Sequence, residues 1–431
     1  MFTTGMSAHL TGTRSGLPSV EHAFQSGSVF DAPHDVYRTL RETAPVYWSP
    51  YLGQWLVTSH ELVLQVLGQP RAYSSFGFDT GYIRQLPDEI RARTATLEHH
   101  FEQRGLIQLD PPDHARLRRA LQPHFTARVI AGLEDRIRAR VADLLEDRDG
   151  GLDVIADFAG PLPVRVIADL LGVDEDERDG FPRWSRDAVR FFGTPLPDPT
   201  YAEEFDRDLV QWRALLERLL RARAKAPRDD LLSAVAELVE TGSITLEEAL
   251  FTCAHFLIAG HETTTNMIGN AMFCLITHPD ELKALLDEPA LIEGALEEVL
   301  RYEPPIQRVR RVATETVELG GATIDAGEPV IPVLAAANRD PARFEDPDRF
   351  DVRRQLSGSA NRHVAFGHSI HLCIGAPLAR LEGRLALPAL LERCPVPSLP
   401  VGFVPRWRRT INLRGLESLP ISPQHTTVLA H

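Results

Sequence analysis

The chain has 431 residues, 43% hydrophobic and 25% charged, a balance that excludes disorder and leaves room for a large core. Its 46 basic and 60 acidic residues give a formal charge of −14, which argues against nucleic acid as a partner, because phosphate binding needs a basic field. Four cysteines (Cys253, Cys274, Cys373, Cys394) without a CxxC pair exclude a disulfide framework and fit a reducing cytoplasm, and no stretch reaches the ~18 apolar residues of a transmembrane segment.

Residues 1–20 are rich in Gly, Ser and Thr and read as disordered, and residues 422–431 as a C-terminal tail. Between them, 21–421 shows no linker or repeat and reads as one large domain. VYW at 46–48 and QWLVT at 54–58 predict a hairpin. Residues 73–109 include a long irregular stretch. DPPDHARLRRAL at 110–121 predicts a helix after two prolines, with His114 and Arg118 on one face. That pair suits an anion such as a carboxylate; the plainer reading is a solvated basic face. Helical periodicity then dominates: Leu133, Ile137, Val141 and Leu144 share one face, as do Phe205, Leu209, Trp212, Leu216 and Leu219.

Thr245-Leu-Glu-Glu248 is a capping box, and the helix it opens runs to Thr277, before His278-Pro279. At ~1.5 Å per residue its roughly 32 residues span about 48 Å, enough to cross the molecule. Mid-helix it reads AGHETTT, from Ala259 to Thr265. A glycine and three β-branched residues weaken a helix interior, and a buried glutamate needs a partner. The site reading is a functional bend; the bland one is a packing glycine beside back-bonded threonines.

EEVLRYEPP at 297–305 places Glu298 and Arg301 one turn apart, a spacing that on a surface is worth ~0–1 kcal/mol. VELGGATIDAGEPVIPV at 317–333 predicts short strands broken by glycine. AFGHSIHLCIGAPLAR at 365–380 sets Cys373 in a loop before a helix that begins at Pro377. Free amides at a helix start stabilise a thiolate, which can serve as a haem ligand. Zinc held by His368, His371 and Cys373, or a plain core cysteine, are the other readings.

Together these segments, in this order, resemble the soluble bacterial members of the cytochrome P-450 superfamily. The resemblance implies the cytochrome P-450 fold: a mainly α single domain with a small β region around a buried haem b. Cys373 would be the thiolate ligand of the iron. His114, Arg118, Arg311 and His371 would hold the propionates, and Phe366 would pack by the thiolate loop. Glu262 and Thr263 would be the acid–alcohol pair of oxygen activation, with Glu262 linking Thr263 to solvent, and Ala259 and Gly260 would let the helix bend. Glu298 and Arg301 would brace the core with an arginine near Arg353.

The activity implied is a haem-thiolate monooxygenase. It would act with O2 on a lipophilic small molecule (terpenoid or carotenoid, polyketide or fatty acyl), with electrons from a separate ferredoxin or flavodoxin and its NAD(P)H reductase. The alternatives are a peroxide-driven peroxygenase and a non-catalytic haem-binding protein. Arg116, Arg119, Arg362 and Arg380 would offer the donor a basic patch. The family has glycine where this chain has Ser369; at φ > 0 serine would cost roughly 1 kcal/mol. His255 and Arg308 stand where apolar residues are commoner, so one of them could anchor a polar end of the substrate.

Overall fold

The computed structural model describes residues 16–146, 151–354 and 362–423. Pro18–Ser26 is helical, with Val20 buried, so residues 18–20 of the segment expected to be disordered are part of a helix. Pro420–Pro423 pairs with Leu152–Asp153, which carries the domain past residue 421; residues 1–15 and 424–431 lie outside the described residues.

The hairpin forms as predicted. Val46–Ser49 pairs antiparallel with Gln54–Val57, with Trp48 opposite Trp55. It is the edge of a five-stranded sheet that continues through Pro329–Pro332, Arg311–Ala313 and Tyr73–Ser74. Val317–Leu319 and Ala322–Ile324 form a second, two-stranded ribbon. Residues 73–109 are not irregular: Phe78–Ile83, Asp88–Arg93 and Ala95–Glu102 are short helices. At six to eight residues they are too short to show a helical period in sequence.

The helical body is built on Leu246–Thr277, 32 residues long, whose predicted capping box forms in both directions. Most of this helix is buried, because helices pack around it on several sides. Glu248 has a second duty: it also pairs with Arg116 on the helix Asp113–Leu121. The N-terminus of the long helix is thereby tied to the helix carrying His114 and Arg118.

Glu298 and Arg301, on Ile292–Tyr302, are both fully buried and bidentate, each contact 2.7 Å. Arg301 also donates to the carbonyls of Asn338, Pro347 and Arg349, and Arg354 joins Glu298 at 3.2 Å. The arginine expected near Arg353 is therefore Arg354; Arg353 turns outward to Glu288. No helix among the described residues is long and apolar enough to cross a membrane.

Candidate functional site

Cys373 precedes the helix Ala376–Arg393, whose first turn leaves amides without helical partners. The amides of Gly375 and Ala376 point at its sulfur, and the Cys373 amide donates to the Phe366 carbonyl at 2.9 Å. Burial pushes the thiol pKa up, while these two amides, Arg118 and Arg380 pull it down. The thiol is nonetheless accessible. Ala259 tells the same story from the long helix: it is exposed, and Ile258, Gly260 and Thr263 are half-buried, while most of that helix is buried.

The four expected anion-holding residues converge. The His114 and His371 rings lie 4.5 Å apart, edge to face. His371 Nε2 meets Ser75 Oγ at 2.9 Å. Burial, with Arg311, His114 and Arg118 nearby, pushes the His371 pKa down to about 3, so its ring is neutral. His114 is buried, and its Nε2 has no partner among the described residues. Burial brings the Arg311 pKa down to about 10, and among the described residues its side chain donates only to the Arg310 carbonyl. Arg118 makes no ion pair among the described residues, and burial lowers its pKa while Cys373 acts to raise it. Two guanidinium groups without an ion pair among the described residues and two neutral imidazoles fit a group with two carboxylates beside a thiolate-bound metal. This is the donor set a haem requires. His368, His371 and Cys373 do not assemble as a metal-binding group among the described residues, against the zinc reading.

Above Ala259 the helix does not break. It is α-helical throughout, and the hydroxyl of Thr263 donates to the Ala259 carbonyl. The Ala259 carbonyl, expected to be freed at this point, is engaged by Thr263. Gly260 is not forced by packing either: a Cβ there would meet Ile167 at an ordinary 3.4 Å. Thr265 back-bonds to His261 in the same way, at 3.0 Å. Glu262 is buried and pairs with Arg408 at 2.7 Å. The carboxylate therefore reaches solvent through a quarter-exposed arginine, not directly. Arg408 lies 146 positions downstream, and no local pattern announces it.

Ser369 has φ of +59°, so the left-handed strain feared from sequence is present. Its hydroxyl makes no hydrogen bond among the described residues that would offset it. The basic patch is reduced: Arg116 is held by Glu248, and Arg380 by Glu297 at 2.6 and 2.9 Å while covering the Phe366 ring. Arg119 and Arg362 remain exposed. His255 lies parallel to Phe251, with 6.1 Å between ring centres, and burial pushes its pKa down to about 4, so it carries no charge at neutral pH.

Comparison with known proteins gives one answer. The Cytochrome P450 family model matches residues 213–406. Cytochrome P450 107B1 of Saccharopolyspora erythraea is 42% identical over 86% of this chain and 90% of its own length. The biotin biosynthesis cytochrome P450 of Bacillus subtilis is 37% identical over 90% of this chain and 96% of its own. Among solved structures, P450BioI in complex with hexadec-9Z-enoic acid ligated acyl carrier protein superposes with a TM-score of 0.82 at 35% identity, covering 92% of this chain and all of that one.

Proposed function

The chain belongs to the cytochrome P450 family, as a monooxygenase that binds haem b through a cysteine thiolate, and within that chemistry we propose which of its residues do what. Cys373 is the thiolate ligand. His114, Arg118, Arg311 and His371 hold the propionates, and Phe366 packs beside the thiolate loop. The observation that carries this is the convergence of an accessible, amide-supported thiol with two unpaired guanidinium groups and an orphaned buried imidazole. When bound, the haem supplies O2 activation.

The protein's part is protons and pose. Thr263 stands one turn from the accessible Ala259, where its hydroxyl can hold a water. Glu262 and Arg408 connect that position to the surface. The substrate is a lipophilic small molecule. Electrons come from a separate ferredoxin or flavodoxin with its NAD(P)H reductase, in the cytoplasm.

One paired experiment tests the assignment. Cys373→Ser should abolish the red-shifted carbon-monoxide band of thiolate-ligated haem. Thr263→Ala should keep that band but divert NAD(P)H consumption from product to peroxide. A Cys373→Ser protein that keeps the band would overturn the ligand assignment, and unchanged coupling in Thr263→Ala would overturn the relay. Product formed with peroxide but never with a reductase would make the enzyme a peroxygenase. Turnover under neither condition would leave a haem-binding protein.

A further inference from the structure

The arginines that line two narrow clefts have carboxylate partners, except one. Arg408 pairs with Glu262, Arg414 with Glu303, and Arg310 with Asp79. Arg308 is only 6% exposed, yet among the described residues its side chain makes one hydrogen bond, a 3.3 Å contact from Nε to the Asn412 side chain. It has no carboxylate partner among the described residues. Its electrostatic neighbours are Tyr37 and a like charge, Arg310, and burial brings its pKa down to about 10. Tyr37 is also 6% exposed, and its hydroxyl has no hydrogen-bond partner among the described residues. Both line one narrow cleft, with Phe24, Val29 and Phe30 on its wall. Arg308 also lines a second cleft, with Phe78, Tyr82, Phe192 and Ile331.

This guanidinium does not belong to the propionate cluster. Arg311 opens the strand Arg311–Ala313, whereas Arg308 lies outside it. In agreement, Arg308 and Arg310 line the same cleft, whereas Arg311 acts on His371. A buried cation without a counter-charge is costly, and a free phenol hydroxyl beside it adds a donor. The walls of the cleft mix apolar side chains, among them Phe24, Phe30 and Leu413, with the polar Thr410 and the cations Arg408 and Arg414. An anion that carries a hydrocarbon chain meets both kinds of wall, and burying the chain offsets its dehydration.

We infer that Arg308 and Tyr37 form a seat for the carboxylate of a lipophilic acid substrate, whose hydrocarbon part lies along the aromatic wall. This rests on the monooxygenase reading above and deepens it to a substrate class. Of the two candidates singled out in the sequence, the neutral His255 is then wall and Arg308 is the anchor.

The test compares acids with their methyl esters on the haem-loaded protein by calorimetric titration, using dodecanoate, hexadecanoate and the diterpene acid abietate. For at least one pair the acid should bind about tenfold or more tightly than its ester. Arg308→Gln should erase that preference while changing ester affinity less than about threefold. Arg308→Lys should retain part of it, and Tyr37→Phe should weaken it. Because Arg308 makes a single hydrogen bond, Arg308→Gln should melt no lower than the parent. Three results would each overturn the inference: no acid preference in any pair, equal weakening of acid and ester, or inorganic phosphate competing as well as the acids. A lower melting point with loss of the carbon-monoxide band would show a structural role instead. Cys373→Ser separates the two readings: it removes the thiolate signature, but the acid preference measured by calorimetry should survive.

Discussion

Arg301 and Arg308 lie seven positions apart and are both buried, yet the fold treats them in opposite ways. Arg301 is enclosed by Glu298 and three carbonyls, and Glu298 in turn is held by Arg354 and the Asp351 amide. Arg308 has one weak contact and an open cleft. The Glu298–Arg301 frame has its buried polar groups satisfied from within the chain, although Glu382 on the helix Ala376–Arg393 keeps an orphaned Oε2 among the described residues. Two other regions leave polar groups open: the cleft of Arg308 and the packing of two helices. Between the helices Phe181–Phe192 and Pro199–Lys225, Trp184 Nε1, Ser185 Oγ and Trp212 Nε1 lack partners among the described residues. A satisfied network fixes one conformation; an open one lets ligands or movement complete it.

If that contrast is right, the largest effect comes from opening the closed side. Glu298→Ala strands a fully buried guanidinium and should cost about 3–5 kcal/mol. Chemical denaturation of the apo-protein measures this, and a loss below 1 kcal/mol would mean the frame is not closed.

The second effect comes from the open side, where removing a charge should help. Asp208 is buried, and burial together with a proton shared with Asp187 pushes its pKa up to about 6, despite Arg183 at 3.0 Å. The folded state therefore keeps a proton that the unfolded chain loses near pH 4. The stabilisation present below that point is lost as pH rises to about 6 and stays lost above it. Asp208→Asn should flatten this slope and stabilise the protein above pH 7 by on the order of 1–3 kcal/mol. Parallel pH–melting curves for parent and variant would contradict the assignment.

The smallest is local. Ser369→Gly relieves the positive φ and should raise stability by about 1 kcal/mol. A decrease would show that the serine side chain makes a contact worth more than its strain.

What sequence could show follows the same division. The long helix was legible from its capping box, the hairpin from its alternation, and the loop strain at Ser369 from one departure in a family pattern. Each is a local signal. The carbonyl cage of Arg301 comes from residues 37 to 48 positions away, and the cation of Glu262 from 146 away. Charges counted as a docking patch were already spent, Arg380 on Glu297 and Arg116 on Glu248. The Asp187–Asp208 pair depends on how two helices face each other. Partner choice across such distances is set by topology, which residue spacing does not encode.

The access cleft also orders how the chain must be assembled. Arg414 grasps the carbonyls of Phe30 and Asp31, 384 and 383 positions back, and Arg409 reaches Gly27. Contacts of that separation carry the steepest loop-closure cost and form late. During synthesis the thiolate loop and the propionate-holding residues emerge before the cleft has its far wall, since Ile411, Leu413 and Arg414 are among the last described residues. A chain stopped near residue 400 would hold Cys373 and its four neighbours but lack Arg408 for Glu262 and Asn412 for Arg308. The residues of the thiolate site are thus synthesised before those that complete the cleft.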